Sequence, residues 1–333
     1  MDANQIQQEL FKYIRTRLPS NASVPDEVAK LLGISSDSAY RRIRGEKQIT
    51  LDELYKIASH YKISLDQLMD IPAGSYLFQG NIVNQRTYGF DQYLTDMMHT
   101  LAYFNSFKTK ELYYSCKDMP IFHHFHYRDV AAFKWFFWLK TYMQFPEFAK
   151  RKFRFSDYPD GLFELDQKVL GLYNKLPSIE IWNIESMNIF FRQVEFYRDG
   201  AVFESDEDVF RLYEALGKTW DHLEAQAAMG YKFRHNDPER KPLGLFKMYF
   251  NEVLLGDNSL LAITDGTKAS IMTHTTFNYM MTRDVAFTEN MYTQFQNQMK
   301  RSTLISEVSE KERGRFFRII RDRIEKRKES LGV

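Results

Sequence analysis

The residues best suited to a chemical role form a basic cluster at positions 40–48. Four basic residues lie in this cluster, namely Arg41, Arg42, Arg44 and Lys47. Glu46 is the single acid there, whereas residues 1–70 as a whole carry ten Lys/Arg and ten Asp/Glu. The planar guanidinium group of arginine donates hydrogen bonds in a fork that matches phosphate groups and base edges. The cluster therefore indicates a local contact with phosphates on an otherwise neutral segment.

A second candidate group comprises His123, His124 and His126, with Cys116 and Asp118 nearby. Imidazoles two or three positions apart can chelate a transition metal. A separated second pair of ligands is missing, and aromatic residues surround the histidines, so histidines of a core or surface are favoured over a metal site. We therefore expect no metal and no cofactor.

Two further features have a structural and a functional interpretation. The aromatic cluster at 133–138 has two interpretations: it lines a pocket for an apolar ligand, or it belongs to the core or to a dimer interface. The second interpretation is favoured. Basic residues at 150–154 and in the final segment 309–333 could contact phosphate groups or an acidic protein partner. The favoured interpretation is that they form solvent-exposed helix faces without a partner.

Motifs of known enzymes are missing from the sequence. It has no glycine-rich phosphate loop, no nucleophile elbow, and no HExxH or CxxC spacing. We therefore expect a protein that is not an enzyme.

Two short helices joined by a tight turn are predicted to position the basic cluster. Residues 24–32 have an apolar helical face, and Gly33 follows where a helix must end with positive φ. A second helix over 36–44 turns Ala39 and Ile43 inward and leaves Tyr40 and Arg41 outside. Such a protruding helix can enter a DNA major groove.

Flanking helices are predicted on both sides of this pair. A leading helix over 5–18 has Ile6, Leu10, Tyr13 and Ile14 on one side. A third apolar pattern follows the pair, formed by Leu51, Leu54, Ile57 and Ala58. Residues 63–68 close the unit with a short turn.

The stretch from Glu27 to Met69 resembles the Cro/C1-type (XRE-type) helix-turn-helix family of repressors and regulators. The resemblance rests on Ala29, on Leu32-Gly33-Ile34-Ser35 at the turn, on Arg44-Gly45 after the second helix, and on Leu51-Asp52-Glu53-Leu54 with Ile63-Ser64-Leu65-Asp66-Gln67-Leu68 behind. With the leading helix it covers residues 5–69. Arg42 departs from the family, which usually has an apolar residue at that position.

The resemblance and the helix geometry together imply roles for individual residues. Four residues of the second helix are expected to face base edges: Ser36, Asp37, Tyr40 and Arg41. Arg41 is the best candidate for a bidentate contact with guanine. Three residues at or beyond the end of the helix are expected to hold phosphates: Arg44, Lys47 and Gln48.

Composition limits the remaining possibilities. The chain of 333 residues has room for two or three domains, and a net charge of +1 argues against a polybasic coat. A single cysteine, Cys116, excludes an intrachain disulfide and suits a reducing compartment. The N-terminus lacks a signal-peptide pattern, and the longest apolar stretch, 130–139, is too short for a bilayer. We expect a cytoplasmic protein without a membrane partner.

The expected fold class is α+β, with an all-α helix-turn-helix domain at 1–72 and a larger, mainly helical domain with an antiparallel β meander. Residues 73–109 are expected to form a linker and connector helix, with an apolar stripe from Phe90 to Phe104. Residues 110–333 form the regulatory and dimerisation region. Its β-like runs lie at about 245–282, separated by turn signals at 256–258 and 265–267.

The function predicted from these observations is sequence-specific DNA binding by a transcriptional regulator. A neutral domain needs two half-sites for affinity, so a homodimer on a palindromic operator is expected. The large C-terminal region suggests a small-molecule effector. A ligand- or metal-dependent enzyme, or a protein-interaction module, carrying a helix-turn-helix remains the alternative.

Overall fold

Five helices form the N-terminal unit of the computed structural model. The structure describes residues 2–19, 21–69, 76–80, 89–253, 256–273 and 278–332. The five helices are α1 (Ala3–Arg17), α2 (Val24–Leu32), α3 (Ser36–Ile43), α4 (Leu51–Tyr61) and α5 (Leu65–Leu68). Each of the first four helices begins at a residue whose side chain caps it. The side chain accepts a hydrogen bond from a backbone N–H group that would otherwise be unpaired. These capping residues are Asp2, Ser23, Ser35 and Thr50.

The predicted turn geometry is present in this unit. Gly33 ends α2 with φ of 67°, and Gly45 follows α3 with φ of 78°, so both positions need the left-handed backbone that glycine adopts at least cost. Ala39 and Ile57 are fully buried in the small core. Leu51 differs from expectation, because it is 85% exposed at the start of α4 and contributes nothing to that core.

Beyond the N-terminal unit, the described residues form one mixed sheet of eight strands. The strands are β1 (Gln79–Gly80), β2 (Lys110–Cys116), β3 (Ser178–Trp182), β4 (Phe246–Phe250), β5 (Ser259–Thr264), β6 (Thr267–Thr273), β7 (Tyr279–Thr282) and β8 (Thr303–Leu304). Their order across the sheet is β1-β7-β6-β5-β2-β3-β4-β8. Strands β2, β3 and β4 run parallel, with Cys116 opposite Trp182 and Glu180 opposite Met248, and the other pairs are antiparallel.

The predicted antiparallel meander is β5-β6-β7. Asp265 and Gly266, both with positive φ, form the two-residue turn of the β5-β6 hairpin, as the Asp-Gly pair indicates. The turn signal at 256–258 does not mark a hairpin, because the strands before and after it, β4 and β5, do not pair with each other. Strand β4 pairs with β3 and β8, and strand β5 pairs with β2. The segment 161–229 is largely helical but also contains β3, whose five residues are all buried.

Eight helices pack around the sheet within the described residues. They are α6 (Phe90–Asn105), α7 (Ile121–His124), α8 (Arg128–Phe137), α9 (Asp160–Lys175), α10 (Asn188–Asp199), α11 (Asp206–Met229), α12 (Val285–Lys300) and α13 (Glu310–Glu329). A large aromatic core covers one face of the sheet, and a smaller cluster with Phe295 of α12 covers the other. The α+β class is confirmed.

The two apolar stretches that suggested a dimer interface lie inside this core. The α6 stripe and the aromatic cluster at 133–138 are buried within the single chain. They therefore give no support to a dimer, although they account for the high aromatic content. Of the two favoured interpretations of the cluster, core or dimer interface, the structure supports the core.

Some boundaries fall outside the described residues. The expected border between residues 72 and 73, with its Pro72-Ala73-Gly74 stretch, lies in the part that the structure does not describe, so the division into domains stays a prediction. Ser309 precedes α13 as expected, but its side chain makes no capping hydrogen bond. Among the described residues, every helix is too short or too polar to span a lipid bilayer.

Gly244 allows a close approach of backbone segments before β4. A Cβ there would lie 2.6 Å from the carbonyl oxygen of Leu176 and 2.8 Å from that of Asn174. We expect Gly244→Ala to lower the free energy of unfolding by about 1–3 kcal/mol, because backbone must move. Urea titration of the full chain measures the change.

Gly171 provides the matched control in the interior of α9. A Cβ there meets nothing within 4 Å, and alanine is favoured over glycine in a helix by up to about 1 kcal/mol. Gly171→Ala should leave the free energy of unfolding unchanged or raise it. Equal losses for both variants would contradict the assigned backbone contact.

Candidate nucleic-acid interface

The outer face of α3 presents the four residues expected to face bases. Ser36, Asp37, Tyr40 and Arg41 are all exposed, and Tyr40 is 46% exposed despite its size. Ala39, between them, is fully buried. The helical period thus separates one packing face from one free face.

Arg42 explains how the helix is held although it departs from the apolar residue of similar proteins. Its guanidinium is buried and donates from Nε and Nη2 to the two carboxylate oxygens of Glu53 on α4, at 3.1 and 2.6 Å. It also donates to the carbonyl oxygen of Ser38. Glu53 accepts from the Thr50 backbone N–H as part of a capping box. One carboxylate therefore caps α4 and fixes α3 against it.

Gln7 of α1 holds the segment after α3, a role that the sequence analysis missed. Its side-chain amide donates to the carbonyl oxygens of Arg42 and Lys47, at 2.7 and 2.8 Å, and its oxygen accepts from the N–H of Ile49. These three bonds join the last turn of α3 and the backbone that follows it, as far as Ile49, to α1. A polar residue on the apolar face of the predicted first helix was the signal that could have revealed it.

The three residues expected to hold phosphates lie on this fixed segment. Arg44, Lys47 and Gln48 are exposed. Glu46 lies among them, 3.3 Å from the Arg44 guanidinium and 3.9 Å from that of Arg41. Such exposed pairs are weak, so a phosphate group can replace Glu46 as the partner of Arg44, and Arg41 can leave Glu46 for another acceptor.

The three histidines of the predicted alternative metal group face different surroundings. His123 lies 3.0 Å from Glu180, which also accepts hydrogen bonds from Tyr173 and Trp182. His124 instead packs against the rings of Trp138, directly after α8, and Phe190 of α10. His126 stacks on His123 and also contacts the ring of His222. Within the described ranges, no group of three or more His, Cys, Asp or Glu side chains has the geometry to hold a metal ion.

The other basic segments are largely engaged within the chain. Arginines of α13 form ion pairs with acids of neighbouring elements: Arg315 with Glu252, Arg321 with Asp221 and Glu224, Arg323 with Glu185, and Arg327 with Glu195. At 150–154, Arg151 pairs with Asp157, and Arg154 with Glu204. These partners favour a structural role over phosphate contact.

Comparison with known proteins identifies the N-terminal unit. The family model of the BetR domain matches residues 5–79. This is a helix-turn-helix type of DNA-binding domain, so the expectation of such a domain is confirmed in its general form. The chain matches no curated protein and no solved structure.

The Arg42–Glu53 pair predicts a pH dependence of stability. The hydrogen bond from Arg42, reinforced by the Thr50 N–H and outweighing burial, lowers the pKa of Glu53 below its ordinary value. The pair therefore stabilises the fold above the unfolded-state pKa of about 4.3, and its contribution is lost as pH falls through the lower folded-state pKa.

We expect Glu53→Gln to cost about 1–3 kcal/mol at neutral pH, the usual value of hydrogen bonds to a charged group. It should also reduce the loss of stability on acidification below pH about 4. Thermal unfolding from pH 3 to 7 measures both effects. Glu46→Gln, which removes only exposed ion pairs, should change stability by less than about 0.5 kcal/mol. A Glu53 variant indistinguishable from it would contradict this account.

Proposed function

We propose that the chain is a transcriptional regulator that binds a specific DNA sequence through α3. The observation that carries the proposal is the outer face of this helix, where four exposed side chains project from a helix anchored by Arg42 and Gln7. The BetR match over the same residues supports it. Selection of binding sites from genomic fragments with the purified chain tests it, and failure to enrich any sequence would refute it.

In the proposed complex α3 lies in the major groove. Ser36 and Asp37 in its first turn, with Tyr40 and Arg41, contact base edges in the manner of Cro/C1-type proteins. Arg41 donates two hydrogen bonds to one guanine. Arg44, Lys47 and Gln48 hold phosphates and fix the position of the helix along the groove.

We further propose that two copies bind a palindromic operator. The N-terminal 70 residues are electrically neutral, so a single domain gains little from counterion release. Two linked domains raise the effective concentration of the second contact. Since the α6 stripe and the aromatic cluster are buried within one chain, the contact between copies uses other surfaces beyond residue 75.

The C-terminal region is proposed to sense a small-molecule effector. Two contacts connect it to the DNA-binding unit: the Tyr103 hydroxyl of α6 donates to the carbonyl oxygen of Arg17 at 2.8 Å, and the Gln79 amide of β1 donates to that of Lys62. Arg283, next to β7, hydrogen-bonds Tyr103. An effector that favours one arrangement of α6 would therefore shift the DNA-binding unit.

We propose regulation without catalysis. The ionisable pair of Glu180 and His123 is buried in the core, so a substrate has no direct access to it. Metal analysis of the purified protein, together with replacement of His123, His124 and His126 in turn, separates this proposal from the metal-dependent alternative. Gel shifts separate it from a protein-interaction module.

Replacing Arg41 by alanine tests the proposed base contact. We expect specific binding to weaken by about 1–3 kcal/mol, with a much smaller effect on random-sequence DNA. Lys47→Ala is the matched control, because loss of a phosphate contact weakens both kinds of binding nearly alike. Fluorescence anisotropy at fixed salt measures both. An equal loss of specific and random-sequence binding in Arg41→Ala would contradict the assigned role.

Sedimentation tests the proposed assembly. The full-length chain at micromolar concentration should sediment as a dimer, and its complex should contain two chains per operator. An operator reduced to one half-site should bind far more weakly. A monomeric chain that binds a half-site and a full site with equal affinity would contradict the palindromic arrangement.

A further inference from the structure

A cavity of about 350 Å³ lies at the carboxyl end of the parallel strand β2. Lys117 and Asp118, which directly follow the strand, line its edge. Open sheets with parallel strands bind ligands beyond the carboxyl ends of those strands. Pockets for small molecules also start near this size. The position and the volume of the cavity therefore both suit a ligand.

Lys134 of α8 gives this cavity a buried positive charge. The side chain is only 1% exposed, and its Nζ donates to the Gln193 amide oxygen at 2.8 Å. The ring of Trp138 lies 5.2 Å from the same Nζ. An ammonium group can donate three hydrogen bonds, and burying one in an aromatic surrounding is costly. Asp118, which lines the same cavity, interacts with this ammonium group and offsets part of the cost. An anionic ligand close to Lys134 Nζ would offset more of it.

His124 adds a polar group that the protein does not satisfy. The ring is buried, it lines the cavity, and both of its nitrogens lack a hydrogen-bond partner among the described residues. Burial, with Lys134 nearby, lowers the pKa of His124 well below its ordinary value, so the imidazole is neutral at pH 7. Unsatisfied buried polar atoms are rare and call for an explanation. A ligand oxygen that accepts from the ring N–H supplies one.

An apolar extension of about 100 Å³ adjoins this polar cavity. The two spaces share four lining residues, Tyr93, Tyr114, Ile121 and Thr273. The extension is otherwise lined by apolar side chains together with Thr100 and Tyr279, the apolar ones including Met97, Leu101, Phe104, Leu112, Leu260 and Ile271. The combined space is therefore polar at one end and apolar at the other.

We propose that this combined cavity binds a small amphipathic carboxylate. Its carboxylate accepts hydrogen bonds from Lys134 Nζ and from the ring N–H of His124. Its apolar body fills the extension beside α6. A link between this ligand and DNA binding rests on the proposed regulatory function. The structural basis for such a link is Tyr103 of α6, which contacts the DNA-binding unit. Ligand binding itself is measurable without DNA.

Isothermal titration calorimetry of the full chain with acetate, butanoate, hexanoate and octanoate tests the chemistry of the site. Affinity should rise about fourfold for each methylene that enters the extension, and it should level off when the extension is full. Hexan-1-ol and hexylamine should bind at least about tenfold more weakly than hexanoate, because Lys134 recognises negative charge. Equal binding of the three head groups, or no binding of any carboxylate, overturns the proposal.

Lys134→Met tests the residue itself. The variant has a side chain of similar length without the charge. It should weaken hexanoate binding at least about tenfold, because one hydrogen bond to a charged group is lost. Lys241→Gln is the matched control, since Lys241 is an exposed lysine that pairs with Glu239 and lines neither space. It should bind within about twofold of the original chain. If Lys134→Met does not fold, the comparison of head groups in the unaltered chain decides.

Operator DNA added to the titration separates this inference from the proposed function. Hexanoate affinity should change when the selected DNA is present. A chain that binds DNA but no carboxylate overturns the ligand proposal and leaves the regulator intact. A chain that binds hexanoate but no DNA sequence overturns the regulator and leaves the site. Equal hexanoate affinity with and without DNA retains the site and excludes its coupling to DNA.

Discussion

The buried ion pair of Arg42 and Glu53 is the interaction on which the exposed face of α3, the proposed DNA-binding surface, depends. Helix α3 has only eight residues, too few to be stable alone. Its outer face is exposed to solvent, so its position is fixed by the inner face alone. The bidentate contact joins it to α4, and Gln7 joins the segment behind it to α1. Exposed side chains can therefore project from a rigid base.

A buried pair of this kind is also vulnerable. Removing one partner leaves a charge without compensation, which costs more than the intact pair contributes. The same carboxylate caps α4 through Thr50, so loss of Glu53 affects two helices at once. This coupling explains why a residue away from the outer face of α3 controls the orientation of that face.

Polar groups in the large core divide into satisfied and unsatisfied ones. Glu180 is fully buried but has hydrogen bonds from three aromatic or imidazole side chains, and burial's upward effect on its pKa is outweighed by His123, so the pKa lies below its ordinary value. Lys134 and His124 lie instead beside a cavity. Glu180 thus has its partners within the protein, although Nδ1 of the neighbouring His123 has none among the described residues, and His124 has no partner at either ring nitrogen. The distinction rests on hydrogen-bond partners and not on the residue types.

The sequence determined those features that depend on neighbours along the chain. Capping side chains, Gly33 and Gly45 at left-handed positions, the helical stripe of α6 and the Asp265-Gly266 hairpin follow from local backbone geometry, and all were predictable. The exposed face of α3 followed from the helical period. Contacts between distant residues decided the rest. Arg42 is buried because Glu53 lies opposite, β3 is a strand because β2 and β4 flank it, and the aromatic stretches face inward because the sheet covers them. Local patterns carry no information about which distant surface supplies the partner, and only the tertiary structure brings those surfaces together.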